Sequence, residues 1–175
     1  MSTTKNARFE IWQTITLEAW WDGDNFFRKL NGVGSERSPD RFAHTEEAEE
    51  MISKLRGSEE PQTIDLFLLH LNQLGLRENS SIDQICAAAA PSGVELCPRE
   101  LAPYLLMKNK IGQETFLVGM RPIFIRTHNT PCISVFYVNG LYRRLQHRCC
   151  CEGQTFCNIY TTWLFAKSHK QTDAN

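Results

Sequence analysis

Cys132 to His147 reads CISVFYVNGLYRRLQH, two runs rich in apolar, β-branched and aromatic residues on either side of Asn139-Gly140. Asn-Gly between such runs is the strongest short-range hairpin signal, because a type I′ turn needs positive φ at both central residues. The neighbouring sequence extends the pattern. Thr115–Met120, Cys132–Val138, Leu141–His147 and Thr155–Ala166 share this composition and are punctuated by Arg121-Pro122, Asn129-Thr130-Pro131, Asn139-Gly140 and Glu152-Gly153. An antiparallel β-meander from Gly112 onward is the expectation.

Upstream the pattern is mostly helical. Phe9–Leu17 (FEIWQTITL) is the exception, since Phe9, Ile11, Gln13, Ile15 and Leu17 share one face at period two and predict a first strand. Asp24 is placed to cap a short helix carrying Phe26, Phe27 and Leu30, which the Gly32–Gly34 segment ends. Ser38-Pro39 then predicts a helix over Arg41–Leu55, closing at Gly57, with Glu46, Glu47, Glu49 and Glu50 as a solvated face. Gly57–Pro61 is linker-like. Ile64–Leu74 (IDLFLLHLNQL) is so nearly continuous in apolar residues that periodicity does not separate a buried strand from a core helix; strand is the reading adopted. Ser81 caps an alanine-rich helix over Ile82–Ala90 that stops before Pro91-Ser92-Gly93, and Pro98 sits at the expected first position of a helix bearing Leu101, Tyr104, Leu105 and Leu106.

Together these predict one α+β domain over 1–175, with an N-terminal strand and several short helices packed on the meander. Residues 1–110 form an acidic, mostly helical part, 111–168 a basic antiparallel sheet, and 169–175 a disordered tail. With 175 residues, 42% of them hydrophobic and 22% charged, the composition excludes a collagenous or low-hydrophobicity disordered chain. The net charge of −1 conceals a split: residues 1–100 carry 10 Lys/Arg and 17 Asp/Glu, residues 101–175 carry 9 and 3, so the parts stand at −7 and +6. Such a split means either a basic face that meets an external partner or an acidic half folded against a basic one.

The start of the chain lacks a signal-peptide apolar region, and the longest apolar candidate, Phe116–Ile125, is broken by Arg121 and Pro122. The expected setting is the cytoplasm, with no membrane partner. Thiols stay reduced there, so the seven cysteines are read as buried small hydrophobes or metal ligands before disulfides.

The stretch Val94-Glu95-Leu96-Cys97-Pro98-Arg99-Glu100-Leu101-Ala102-Pro103-Tyr104-Leu105 resembles a motif of an uncharacterised family of small bacterial proteins, mainly from candidate-phyla genomes, in which a Leu-Cys-Pro element opens a helix ahead of a β-rich tail. Phe9–Leu17, Leu74-Gly75, Phe116–Ile123, Val135–Val138 and Trp163–Lys167 look similar as well. The resemblance implies the fold and no activity. The cysteine cluster near Arg148–Cys151 departs from the family pattern, so the resemblance implies no shared metal site.

Three constellations bear on chemistry. His147, Cys149, Cys151 and Cys157, with Cys150, are the only dense set of soft ligands. Zinc needs sulfurs within about 4 Å of one another, the usual Cys-x2-Cys knuckle is missing, and packed thiols compete with a metal site and a redox pair. Arg121, Arg126, Arg143, Arg144 and Arg148, with His128 and His147, are interleaved with Phe124, Phe136, Tyr137, Tyr142 and Tyr160. That is the make-up of a surface for nucleic acid or an acidic protein, and equally of a sheet core with a solvated edge. Catalytic motifs are lacking; a nucleophile such as Cys97, at the start of a predicted helix, would be activated by the helix N-terminus, and Cys-Pro there is equally explained as a helix-entry turn.

The leading expectation is a non-enzymatic binding or regulatory protein that uses Arg121, Arg126, Tyr142, Arg143, Arg144 and Arg148 against an acidic partner. A nucleic-acid-binding accessory protein is the second, and a small cysteine-dependent or metal-assisted enzyme the third. No cofactor beyond zinc is suggested, and the oligomeric state is left open. The expectation fails if the arginines are already paired with glutamates of the first half.

Overall fold

Thr130–Asn139 and Arg144–Cys149 form the predicted hairpin, yet Asn139 pairs with Arg144, so the connection is a four-residue loop and not a two-residue turn. Neither Asn139 nor Gly140 has positive φ; Arg143 does, at 46°. The loop closes through Arg143 N–H to Gly140 O (3.0 Å) and Tyr142 N–H to the Asn139 side chain (3.2 Å). Glycine is required at 140 for a different reason than the turn rule supplies: a Cβ there would lie 2.6 Å from the carbonyl oxygens of Gly112 and Glu114.

The computed structural model describes residues 9–19, 22–32, 43–127, 130–150 and 161–169. The elements are β1 (Gln13–Leu17), α1 (Gly23–Gly32), β2 (Ala43–His44), α2 (Glu46–Ser53), β3 (Gln62–His70), α3 (Ile82–Ala89), α4 (Leu101–Met107), β4 (Thr115–Val118), β5 (Ile123–Thr127), β6 (Thr130–Asn139), β7 (Arg144–Cys149) and β8 (Thr162–Ser168). Short 3₁₀ turns follow β3 at Leu71–Leu74 and α3 at Ala90–Ser92. The class is α+β, with the helices before residue 108 and most strands after 114.

One eight-stranded sheet runs β1-β3-β8-β4-β6-β7-β2, with β5 added on β6. Because β7 pairs with β6 from Ser134 to Asn139, the strands β4 and β5 must share the opposite edge of β6, one after the other. The antiparallel meander holds for β5–β6–β7. It does not extend to the last strand: β8 leaves the hairpin and inserts between β3, antiparallel, and β4, parallel. Its Trp163, Leu164, Phe165 and Ala166 are apolar on both faces and all buried, and only the middle of the sheet covers both faces of a strand. Ile64–Leu74, left between strand and helix by its apolar continuity, is for the same reason β3 as far as His70.

Helix starts shift by a few residues from the sequence reading. The Asp22 carboxylate, not Asp24, accepts from Asn25 N–H (2.9 Å) at the start of α1. Ser81 and Gln84 make a reciprocal capping box on α3, as Ser81 predicted. Pro98 precedes α4 by a turn, its carbonyl accepting from Leu101 N–H (3.1 Å). Ser38 and Pro39 lie outside the described residues; α2 itself is capped by Thr45, whose hydroxyl accepts from Ala48 N–H (3.3 Å).

Helix α2 buries Ala48, Met51 and Ile52 and packs across β5 and β7. Its glutamates are not simply a solvated face. Glu46 and Glu49 are exposed, but Glu47 Oε2 lies 3.6 Å from His147 Nδ1, and Glu50 accepts from the backbone N–H of Arg126 (3.1 Å). Lys54, one turn on, pairs with Glu50 (2.6 Å) and donates to Phe124 O (2.6 Å). The unpaired edge of β5 is thus closed by one helical ion pair, which satisfies a donor and an acceptor that would otherwise invite another strand. At the far end, His169 is held to β3 by its N–H on Thr63 O (2.9 Å) and its ring on Asp65 (2.9 Å).

Candidate binding surface

Alternation along β6 and β7, which pair without a bulge, sorts the hairpin into two faces. Phe136, Val138 and Leu145 point inward, towards the layer that α2 covers. Arg144, Gln146 and Arg148 point outward, alongside Ile133, Val135 and Tyr137 of β6 and, through the β5–β6 register, Phe124 and Arg126.

Three of the arginines singled out by sequence, Arg126, Arg144 and Arg148, are thereby brought onto one face, each exposed, while Val135 on the same face is fully buried and Tyr137 half-buried. Phe124 and Ile133 form a cross-strand apolar pair between them, 55% and 44% exposed. Among the described residues, the carboxylates lie within 4 Å of His44, Lys54, Lys108, His147 and His169 and of none of these three guanidinium groups. The acidic half does fold against the basic half through α2: its carboxylates meet His147 and the Arg126 N–H, and the Arg126 charge helps hold the Glu50 carboxyl down, while no ion pair reaches the three guanidinium groups.

The other sequence candidates fall elsewhere. Arg143, in its left-handed conformation, turns back to donate to Leu106 O (3.2 Å) at the end of α4, which makes it a strut of the fold. Tyr142 is 71% exposed at the loop tip. Arg121 lies between β4 and β5 and lines a cleft with Arg56 and Arg99, away from the open face. His128 and Tyr160 lie outside the described residues.

The cysteines that the structure describes are packed thiols. Cys132 Sγ is 3.2 Å from Ser134 Oγ, and Cys150 donates to Arg148 O (3.3 Å). Cys149 pairs across the hairpin with Ser134, and no three His, Cys, Asp or Glu side chains converge as metal ligands among the described residues. Cys151 and Cys157, the other candidate ligands, lie outside them. The reading of Cys97 as an activated nucleophile is overturned: α4 begins only at Leu101, and the thiol is 4% exposed, donates to Leu164 O (3.3 Å) and is pushed far up by burial.

Sequence reasoning missed Ile133, Arg56 and Arg99. Ile133 shows itself through period-two alternation once the β6 register is known; Arg56 and Arg99 come together with Arg121 only by tertiary folding. Comparison with protein-family models, with curated proteins and with solved structures finds no match to the chain.

Proposed function

We propose that the chain is a non-enzymatic binding or regulatory protein that docks an acidic protein segment on the outer face of β5, β6 and β7. One observation carries the reading: Arg126, Arg144 and Arg148 stand outward on the same face, around the exposed Phe124–Ile133 pair. Charge with an apolar centre is the usual anatomy of a protein-docking patch. The free thiols Cys86, Cys97 and Cys132 suit a reducing, cytoplasmic setting.

Spacing favours an acidic protein over nucleic acid. Arg144 and Arg148 are four residues apart on one strand, about 13 Å, and Arg126 lies two strands across and four register positions along, about 16 Å from Arg148. These steps exceed the screening length of about 8 Å at physiological salt, so each cation acts alone along a diagonal. A duplex carries a phosphate every ~1.7 Å, far denser than this diagonal neutralises. Base stacking needs a row of open rings, whereas Phe124 is the one well-exposed aromatic on the face and Tyr137 is half-buried.

Fluorescence anisotropy with a labelled oligoglutamate peptide and a labelled single-stranded oligonucleotide, each across a salt series, tests this. The peptide is expected to bind, and Arg126→Glu/Arg144→Glu/Arg148→Glu to abolish binding with circular dichroism unchanged. Tighter binding of the oligonucleotide transfers the face to the nucleic-acid reading, and unchanged peptide affinity in the triple variant removes the face altogether. Arg143 is left intact because its substitution disturbs α4.

A further inference from the structure

A cleft of about 380 Å³ opens at the side of the sheet where the Leu96-Cys97-Pro98 element runs beside β8. Glu95 and Ala166 exchange backbone hydrogen bonds (2.6 and 3.0 Å), extending the sheet past the end of β4 and setting that element as one wall. Arg56, Arg99 and Arg121 line the cleft. Arg99 is held in place, its Nε donating to Arg121 O (3.1 Å) and its Nη2 to Pro122 O (3.0 Å), which fixes the guanidinium plane and leaves N–H groups over. Arg56 gives one N–H to Leu55 O (3.2 Å).

Two carboxylates line the same cleft without pairing to these cations. Glu95 is taken up by Ser168, accepting from its hydroxyl (2.8 Å) and its N–H (3.3 Å). Glu100 is 7% exposed, and burial, ahead of its backbone hydrogen bonds, pushes its carboxyl towards the neutral form. Three cations against these two acids leave an excess of positive charge in a concave site of ligand size. The volume exceeds that of a bare oxyanion, and Ile64, Leu96 and Pro98 supply an apolar wall.

We propose that this cleft binds a small organic dianion, a phosphate monoester or a dicarboxylate, whose oxygens take the N–H groups of Arg56, Arg99 and Arg121 while its carbon body lies on Ile64, Leu96 and Pro98. Guanidinium forks match both anions bidentately. The site stands apart from the open sheet face and does not depend on it.

Thermal shift and ¹H–¹⁵N NMR titrations of the full chain with inorganic phosphate, glycerol phosphate and succinate, against sodium chloride at matched ionic strength, test it. At least one dianion is expected to stabilise the protein saturably and to shift resonances of residues 95–100, 121 and 166–168; which one responds decides between phosphate and carboxylate chemistry. Arg56→Gln/Arg121→Gln, at two exposed positions, should weaken that binding about tenfold for each arginine removed. Arg126→Glu/Arg144→Glu/Arg148→Glu should leave it unchanged, which separates failure here from failure of the docking face. A response no larger than that to sodium chloride, or one unaffected by Arg56→Gln/Arg121→Gln, overturns the proposal.

Discussion

At the centre of the sheet, β3 and β8 bury both faces; at the other end, β5 and the first half of β6 bury one. In the centre, Leu66, Leu164 and Ala166 lie on one face and Phe67, Leu69, Trp163 and Phe165 on the other, all buried. On β6, Cys132, Ser134, Phe136 and Val138 are buried while Pro131 and Ile133 on the other face are exposed; from Val135 on, that other face is covered as well. The difference is one of how much of each strand the fold itself uses. Two-sided burial makes the centre the part that holds the fold, and one-sided burial leaves Phe124, Arg126, Pro131 and Ile133 of β5 and β6 exposed.

The sharpest way to break this contrast is to truncate one apolar residue in each region. Trp163→Ala should cost about 3–5 kcal/mol, enough to unfold much of the population, whereas Ile133→Ala should stay within about 0.5 kcal/mol. Equal shifts in the urea midpoint would erase the distinction. Next in size is Gly119→Ala. A Cβ there would lie 2.5 Å from the Phe165 ring and 3.0 Å from Leu164 O, so overpacking against the centre should cost about 1–3 kcal/mol in the same assay.

Acid sensitivity divides along the same line. Asp65, in the centre, is held below the usual carboxylate range first by the Thr14 hydroxyl and then by His169; Glu50, at the open end, is held down first by Lys54 and then by the Arg126 N–H. A folded value below the unfolded one contributes stability that is present above the unfolded values of 3.8 and 4.5 and is lost as pH falls through the folded values. Asp65→Asn and Glu50→Gln should therefore each flatten the acid limb of a stability–pH curve. The effect should be larger for Asp65, whose side chain is 14% exposed against 33% for Glu50. Acid limbs unchanged from the parent would show that neither carboxylate carries this linkage.

Smaller still is the uncovering of β5. Glu50→Ala/Lys54→Ala should cost no more than about 1 kcal/mol, because the pair is partly exposed, but it frees an edge donor and acceptor and should promote concentration-dependent self-association visible by light scattering. A strictly monomeric double variant would mean that other parts of the chain protect the edge. Last, charge reversal at Arg126, Arg144 or Arg148 should shift stability by no more than about 0.5 kcal/mol each in thermal denaturation, since these side chains face solvent. A larger loss would mark them as structural.

Legibility followed the same division. The hairpin around Asn139-Gly140 was readable because Asn-Gly between two apolar runs marks a chain reversal, and the Ser81 cap because a capping box is local. The neighbouring strand β5 was not, since Arg121-Pro122 read as the end of a strand when it is a break between two strands on one edge of β6. The place of β8 was hidden too: its apolar run WLFA announces burial but no direction of pairing. Half of the candidate face was legible. Arg144 and Arg148 have the same parity in the sequence, whereas Arg126 joins them only through the register of β5 on β6, and Arg143 departs because a four-residue loop replaced the expected turn.

The chain on its own determined the α+β class, the Ser81 helix cap, the hairpin around Asn139-Gly140 and the separation of acidic from basic halves, because each rests on neighbours a few residues apart. Which strands meet, which arginines share a face and which ones gather in the cleft beside Leu96-Cys97-Pro98 were decided only by tertiary structure. Those pairings join residues far apart in the chain, and they are selected by how completely each apolar run is covered rather than by any spacing along it.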